Sequence, residues 1–193
     1  NIYAAREELL QRYPERRMIV VDTLSISLPQ SILVLKAHEL YRQGKTMDEV
    51  AAWLEENKSR SQAFFTVDDL TYLRRGGRIS AVAATVGTML DLKPIITEGK
   101  NGKLLSTDKV RGRKQALRTL AELAAQNIDD PAEAEMYVLH ADAPEDADRL
   151  VQLLREKIPG LGNISTRYVG PVIGAHCGPG TVAVCFFGKE RPY

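Results

Sequence analysis

The alternation of strand patterns and helix patterns along the chain constrains its fold more than any other feature. Short apolar runs typical of strands occur at QAFFTV, EAEMYVLH, STRYV and TVAVCFF. Two more, KPIITEG and KLLSTDKV, flank the turn KNG and predict a hairpin. Helix patterns such as GRKQALRTLAELAAQN and PEDADRLVQLLREK separate them. Helices and strands mixed with a hairpin predict a C-terminal α/β domain with a mixed sheet over residues 66–193.

Residues 1–65 carry several helix patterns but few strand patterns. Helices are predicted for NIYAAREELLQRYP, SLPQSILVLKAHELYRQG and TMDEVAAWLEEN, where Thr46 and Glu49 have the spacing of a capping box. The strand patterns are RMIVVD and QAFFTV. Helices with apolar faces need more sheet than two strands to cover them, so we expect further strands upstream of Asn1. Residues 1–65 are therefore predicted to be the remainder of an incomplete N-terminal α/β domain.

The composition is that of an ordinary globular chain. Of its 193 residues, 44% are hydrophobic and 26% are charged. The longest apolar run of low charge, ISAVAATVGTML, is shorter than the roughly 18 to 20 residues that a membrane span requires. Because the chain also shows no signal-peptide pattern, we expect a cytoplasmic protein. Cys177 and Cys185 have no paired spacing, so neither a disulfide framework nor a zinc motif is expected.

Positive charge is concentrated in one stretch of the chain. Residues 74–118 hold eleven Lys and Arg side chains and three Asp and Glu side chains, although the net charge of the whole chain is +1. No aromatic side chains are interleaved with these cations, which disfavours a nucleic-acid interface built on base stacking. The stretch is either a solvated basic face or a patch that binds phosphate or carboxylate groups.

Two short motifs in this stretch place arginines beside predicted helix ends. In VRGRK, Arg111 and Arg113 stand at a helix start, where the helix dipole disfavours cations and a bound anion would stabilise them. The alternative is that their side chains reach back to solvent or to Asp108. In RRGGRIS, the glycine pair suits a left-handed helix stop. Arg78 of this motif either belongs to a simple helix joint or points at an anion.

The segment GPVIGAHCGPG, residues 170–180, combines six Gly and Pro residues with a single histidine. Its glycines do not have the spacing of a nucleotide-binding loop. His176 and its neighbour Cys177 point in different directions, which disfavours both a metal site and a Cys/His catalytic pair. Pro171 can open a short helical turn with His176 near its end. The local pattern leaves two interpretations, a turn into the last strand or a ligand site.

The other two histidines show no ligand spacing. His38 lies in a helix pattern, and His140 is expected to close a strand. Asp142, with Glu145 three residues later, is predicted to cap the helix that follows. We therefore expect neither a metal site nor catalytic residues.

Four blocks of the sequence together resemble the DegV family of bacterial fatty-acid-binding proteins. They are FFTVDDLTYLRRGGRIS, LKPIITEGKNGKLLSTDKVRGRKQAL, YVLHADAPEDAD and VGPVIGAHCGPGTVAVCFFGKERP, and they occur in the family's order. The resemblance implies two α/β domains, the N-terminal one built on a parallel sheet, with a long-chain fatty acid buried between them. The family's first-domain blocks, which supply hydroxyl groups to the carboxylate, do not occur in this sequence.

The resemblance also implies roles for individual residues. His176 and Arg78 would hold the carboxylate of the fatty acid, and the glycines around His176 would leave room for that head group. Arg111 and Arg113 would contact a partner or a phosphate group. The acyl chain would lie against residues of the apolar helix pattern after RRGGRIS and against one residue near His176, namely Ala81, Ala84, Thr85, Thr88, Met89 and Ile173.

The predicted function is therefore that of a lipid carrier without catalytic residues. The chain would bind a long-chain fatty acid as its ligand, without a cofactor, and present the carboxylate to a separate ATP-dependent fatty acid kinase. Two alternatives remain open. One is a small phosphotransferase or hydrolase that uses the basic patch, and the other is a module that docks on a kinase without lipid.

Overall fold

The computed structural model describes residues 1–78 and 91–193. In these residues the helices are α1 (Ile2–Arg12), α2 (Ser27–Arg42), α3 (Met47–Asn57), α4 (Leu70–Arg75), α5 (Arg113–Asn127), α6 (Pro144–Lys157) and α7 (Pro171–Cys177). The strands are β1 (Ser61–Thr66), β2 (Leu92–Glu98), β3 (Leu104–Arg111), β4 (Glu135–Ala141), β5 (Asn163–Tyr168) and β6 (Thr181–Phe187). A short 3-10 turn at Lys58–Arg60 joins α3 to β1.

These strands form one mixed sheet in the order β3-β2-β1-β6-β4-β5. β4 and β5 are parallel, and the other neighbouring pairs are antiparallel. β2 and β3 form the hairpin predicted on either side of KNG, with Leu92 opposite Arg111 and Glu98 opposite Leu104. The α/β class and the mixed sheet predicted from the sequence are confirmed.

Strand β1 lies in the middle of this sheet. Phe64 of β1 pairs with Thr97 of β2, and Phe65 pairs with Ala183 of β6. Every residue of β1 is buried, including the polar Ser61, Gln62 and Thr66, because the strand has a neighbour on each edge and helices cover both faces of the sheet. Residues 61–66 thus belong to the same sheet as the later strands, while the division of the chain into domains at residue 65 stays a prediction.

Helices cover both faces of the sheet. On one face, Leu120 of α5 and Leu150 of α6 belong to the larger apolar cluster. On the other face, Ile32 of α2 and Leu73 of α4 belong to a second cluster, to which α7 also contributes. The predicted apolar face of α5 is buried at Leu117, Leu120, Ala121 and Ala124. The 3.6-residue periodicity therefore identified the buried side of this helix correctly.

The segment at residues 17–22 differs from the prediction. RMIVVD has the apolar pattern of a strand, but these residues form none. A strand needs a neighbour that satisfies its backbone N–H and C=O groups, and among the described residues no strand pairs with this segment. An apolar run alone therefore did not suffice to make a strand.

The start of α6 also differs from the prediction. Asp142 does not cap the helix: the capping position is Ala143, which makes no side-chain capping bond. Asp142 instead adopts a left-handed backbone with φ 49°. The neighbouring backbone N–H of Ala143 donates to Nδ1 of the buried His140 at 3.3 Å. The polar contact at this helix start thus comes from the histidine.

The capping box at the start of α3 is confirmed. The N–H of Glu49 donates to Oγ1 of Thr46 at 3.3 Å, and the N–H of Thr46 donates back to Glu49 Oε2 at 2.8 Å. The Thr46 backbone bond is the main reason that the pKa of Glu49 falls to about 2. Within residues 1–78 and 91–193, no helix is both long enough and apolar enough to cross a membrane.

Candidate functional site

The segment GPVIGAHCGPG folds as the short helix α7 and a turn into β6. Pro171 occupies the start of the helix, as predicted, and His176 lies in its last turn. The helix ends at Gly178, whose φ of 79° favours glycine strongly. The segment is therefore more than a plain turn, and its value as a site depends on what surrounds His176.

Helices α4 and α7 bring the two glycine-rich motifs together. The imidazole of His176 lies against Gly76, where an added Cβ would stand 2.3 Å from Nδ1. Arg78 is exposed, and its Nη1 donates to the carbonyl oxygen of Gly76. His176 and Arg78, which were predicted to share the carboxylate site, thus both contact the same residue.

Two glycines of the segment accommodate side chains of the protein. A Cβ at Gly178 would lie 2.3 Å from the ring of Tyr72, and one at Gly180 would lie 2.6 Å from Cβ of Asp68. The expectation that these glycines leave room for a ligand head group is wrong at both positions, because α4 and the residues before it fill the space. At Gly174, no atom of the described residues lies within 4 Å of the corresponding position.

Hydrogen bonds fix the turn between α7 and β6. The hydroxyl of Thr181 donates to the carbonyl oxygens of Cys177 at 3.1 Å and Gly178 at 2.8 Å. The N–H of Gly180 donates to the carbonyl of Ala141, at the end of β4, at 2.7 Å. The turn is thereby tied to the central sheet, and α7 is held in a defined position over it.

The two arginines of VRGRK have different surroundings. Arg113 donates from Nε to Asp146 Oδ2 at 2.8 Å and from Nη2 to the carbonyl of Gly180 at 2.6 Å. These contacts differ from both alternatives considered for the side chain, which were exposure to solvent and a contact with Asp108. Arg111 ends β3 and is exposed. Arg113 therefore links α5, α6 and the turn after α7, whereas Arg111 is accessible to a partner.

An apolar chamber lies between the sheet and α7. It has a volume of about 60 Å³ and is partly open, and Ile173, which was predicted to line the acyl chain, lines it together with Cys177. The other lining residues come from the start of α2 and the residue before it, from strands of the sheet and from the residue that follows β5. They are Ile26, Ser27, Pro29, Ala63, Phe65, Glu98, Leu104, Leu139, Val169, Thr181, Ala183 and Cys185. Apart from Glu98 and two hydroxyl side chains, this lining is apolar, so the chamber suits a hydrocarbon.

The two thiols of the chamber are not activated for chemistry. Both Cys177 and Cys185 are free and buried. Burial raises the pKa of the Cys177 thiol to about 11 and raises the pKa of Cys185 further. Both thiols are therefore protonated at neutral pH.

An open groove of about 580 Å³ borders the chamber. Ile26, Glu98 and Leu104 line both spaces. The groove also contains the exposed side chains of Arg78 and Lys103. An acyl chain in the chamber and an anionic group in the groove would consequently be neighbours.

A buried ion pair beside the chamber was missed by the sequence reasoning. Arg191 Nη2 lies 3.2 Å from Glu98 Oε2, and the two side chains are 2% and 4% exposed. Burial raises the pKa of Glu98, partly offset by the N–H of Ile26 and by Arg191, and burial lowers the pKa of Arg191. The partners lie in unrelated strand and tail patterns, so no local sequence signal identified them.

Five of the predicted lining residues belong to the apolar pattern that follows RRGGRIS. Ala81, Ala84, Thr85, Thr88 and Met89 lie outside the described residues. In residues 1–78 and 91–193, no group of three or more His, Cys, Asp and Glu side chains is arranged to hold a metal ion.

Fold and site together define a class of protein. A mixed sheet with helices on both faces carries an apolar chamber under a glycine-flanked helix, and the chamber borders a groove with an exposed arginine. This is an α/β protein with an apolar pocket between one face of its sheet and a short helix. The chain belongs to the DegV family, because the model of that family of uncharacterised proteins matches residues 1–189.

Individual relatives support this assignment. The DegV domain-containing protein CPE0026 of Clostridium perfringens is 42% identical over 187 residues, which are 97% of this chain and 64% of the relative. The fatty acid binding DegV family protein SAG1342 of Streptococcus agalactiae superposes with a TM-score of 0.83 at 30% identity, over 95% of this chain and 64% of the relative. The chain thus spans just under two thirds of the length of these relatives.

A more distant structure shows the same fold. The Fatty Acid Kinase (Fak) B3 protein of Streptococcus pneumoniae, whose structure is loaded with linoleic acid, gives a TM-score of 0.85 at 19% identity. The match covers 97% of this chain and 66% of that protein. At this identity the likeness concerns the fold alone.

Proposed function

We propose that this chain binds a long-chain fatty acid, with the acyl chain in the apolar chamber and the carboxylate near His176 and Arg78. The observation that carries the proposal is that the apolar chamber borders the groove containing Arg78 through three shared residues. It is supported by the relative from Streptococcus agalactiae, which is described as fatty acid binding. No catalytic residue is assigned, and the proposed role is that of a carrier.

Burial of the acyl chain would supply most of the binding free energy. At about 0.8 kcal/mol per methylene group, about fifteen methylenes contribute on the order of 12 kcal/mol. The chamber of about 60 Å³ corresponds to the liquid volume of about two water molecules. A complete acyl chain therefore requires the chamber to extend, and the five predicted lining residues from Ala81 to Met89 stay part of the proposal.

The head group would be bound by hydrogen bonds and charge. A carboxylate accepts from an imidazole N–H and from a guanidinium group, and bonds that involve an ionised partner are the stronger ones. His176 is half-buried and positioned by its contact with Gly76, whereas Arg78 is exposed, bonds to the carbonyl of Gly76 and lines the groove. In this arrangement His176 would define the position of the carboxylate, and Arg78 would add charge from the groove.

The finer proposal is that the bound carboxylate is presented to a separate ATP-dependent fatty acid kinase. Arg111, exposed at the end of β3, is the side chain that we assign to partner or phosphate contact. Arg113 would act indirectly, because its hydrogen bonds to Asp146 and Gly180 position the turn that follows α7.

Lipid analysis of the purified protein tests fatty acid binding. We expect a long-chain fatty acid to be extracted from protein prepared without added lipid, and delipidated protein to take up oleate or palmitate. His176→Ala should weaken binding about tenfold or more, since it removes a hydrogen bond to a charged group. The matched control is His38→Ala, at an exposed position on α2. Lipid-free protein that takes up neither acid would reject the proposal.

A kinase assay tests the finer proposal separately. With an ATP-dependent fatty acid kinase and loaded protein, Arg111→Ala should lower kcat/KM about tenfold or more while fatty acid affinity stays unchanged. Equal kcat/KM for Arg111→Ala and the unaltered protein would remove Arg111 from the partner contact without affecting the assignment of the lipid site.

A further inference from the structure

Residues 22–27, here called the strap, lead into α2 and include its first residue, and they have an unusual backbone conformation. Leu24 has φ 50° and Ser27 has φ 57°, both in the left-handed region that residues other than glycine rarely adopt. Two such residues within one short loop indicate that contacts with the rest of the protein hold the strap in place. Without those contacts, local preference would move it to another conformation.

Those contacts come from the pair Glu98 and Arg191, called the clasp below. Arg191 donates from Nη1 to the carbonyl of Leu24 at 2.8 Å and from Nη2 to Oγ of Ser25. Glu98 Oε1 accepts the N–H of Ile26 at 3.0 Å. Three successive residues of the strap are thus bonded to two side chains that are themselves paired.

The clasp is anchored to the sheet and to the C-terminal tail. Glu98 is the last residue of β2, and Arg191 also donates to the carbonyls of Ser61 at 3.0 Å and Gly99 at 3.1 Å. Both side chains of the clasp are almost completely buried. A buried pair that satisfies this many backbone groups is rigid. Removal of one partner would free the strap and would leave the other charge buried and unpaired.

The strap lies where the chamber meets the groove. Ile26 is 48% exposed and lines both spaces, and Ser27 lines the chamber. Glu98 borders both spaces as well, so the clasp and the strap occupy the same boundary. Movement of the strap would therefore widen the opening between the apolar interior and the groove that contains Arg78.

We propose that the strap is a gate to the apolar chamber, with Ile26 as the moving side chain, and that the clasp of Glu98 and Arg191 holds it closed. The ligand that passes the gate is the fatty acid of the proposed function, and that part of the inference rests on it. The existence of the gate does not rest on the proposed function, because any reagent of suitable size would report on access to the chamber.

The two thiols in the chamber wall allow access to the chamber to be measured. Alkylation of Cys177 and Cys185 by N-ethylmaleimide, followed by mass spectrometry, measures access without any lipid. In the double variant Glu98→Gln, Arg191→Met, neither charge is left buried and unpaired. We expect its Cys177 to be alkylated about tenfold faster than in the unaltered protein, because local opening becomes easier. Arg191→Lys, which keeps the charge but loses the forked donors, should give an intermediate rate and remains available if the double variant does not fold.

The control removes a different ion pair. Lys157 Nζ of α6 lies 2.9 Å from Glu122 Oε1 of α5, on the face of the sheet opposite α7, and Lys157→Met with Glu122→Gln should leave the alkylation rate unchanged. Hydrogen exchange separates gating from global unfolding: the amide of Ile26 should lose protection in the clasp variants while that of Val184 in β6 keeps it. Equal alkylation rates in the clasp variants, the control and the unaltered protein would overturn the gate. Failure to bind oleate, with accelerated alkylation, would reject the proposed function and leave the gate intact.

Discussion

The imidazole of His176 and the backbone of Gly76 are in direct contact. A Cβ atom at Gly76 would lie 2.3 Å from Nδ1 of His176, closer than any real side chain approaches. Gly76 has φ −75°, an ordinary value for any residue. An alanine would therefore fit there only if the imidazole moved, and the end of α4 limits where the ring of His176 can lie.

Gly76→Ala is the first test of this contact. The new methyl group must displace the imidazole, so we expect fatty acid affinity to fall about tenfold or more, close to the effect of His176→Ala. Titration of delipidated protein with a fluorescent fatty acid measures this affinity. In the double variant Gly76→Ala, His176→Ala, the two losses should not add, because both act through one side chain.

Gly174→Ala is the matched control within α7. It lies one turn from Gly178, and no atom of the described residues is within 4 Å of the added carbon. Alanine in a helix is favoured over glycine by roughly 0.5–1 kcal/mol, so stability should be unchanged or slightly higher. If Gly174→Ala weakened binding as much as Gly76→Ala, the specific role of the His176 contact would be rejected.

The packing of Tyr72 on Gly178 predicts a difference between two glycines that both have a positive φ. Gly178 has φ 79° and Gly160 has φ 76°, but only at Gly178 does the added carbon meet a ring, at 2.3 Å. Alanine should cost roughly 1–3 kcal/mol at either position because φ is positive at both. At Gly178 we expect about 1–3 kcal/mol more from overpacking. Equal losses in urea unfolding would show that Tyr72 moves aside freely.

Arg113 and Arg111 are expected to differ when each is replaced by lysine. Arg113→Lys loses at least one of the bonds to Asp146 and Gly180, so the free energy of unfolding should fall by about 1–2 kcal/mol. Arg111 is exposed, and Arg111→Lys should change stability by less than about 0.5 kcal/mol. Thermal unfolding compares the two. A destabilised Arg111→Lys with an unaffected Arg113→Lys would reverse the assigned roles.

The buried carboxyl of Glu98 predicts a pH dependence. Burial raises its pKa above the ordinary value of 4.5, so between these two values the folded protein binds more protons than the unfolded chain. The contribution of Glu98 to stability is therefore fully present below its unfolded pKa and is lost as pH rises through the folded pKa. Glu98→Gln cannot titrate and lacks this loss.

Urea unfolding of both proteins from about pH 4 to pH 7 isolates the effect of Glu98, because the other carboxyl groups are common to both. We expect the unaltered protein to lose stability relative to Glu98→Gln as pH rises. A difference that stays constant, or that changes in the opposite direction, would show that the pKa of Glu98 is not raised in the folded protein.

Much of the local structure followed from the sequence. The hairpin on either side of KNG, the capping box of Thr46 and Glu49, and the apolar face of α5 were predicted, because each depends on residues close together in the chain. The exceptions were local patterns that tertiary contacts overrode. RMIVVD found no partner strand among the described residues, and His140 took the contact expected of Asp142.

The candidate site was predictable only in part. The resemblance of four sequence blocks to the DegV family singled out His176 and Ile173 as candidates, but it did not indicate their surroundings. That Gly178 and Gly180 are filled by Tyr72 and Asp68, or that Arg113 is bonded to Gly180, depends on elements that meet only in the folded protein. Sequence spacing carries no information about such contacts.

The sequence by itself determined the α/β class, the mixed sheet and the family, since these depend on periodicity, turn residues and ordered motifs. The tertiary structure decided which groups face one another: His176 against Gly76, and Glu98 against Arg191 beside the chamber. Steric fit and the pairing of buried charges are properties of distances in space, and residues far apart in the chain acquire those distances only when the sheet and its helices have assembled.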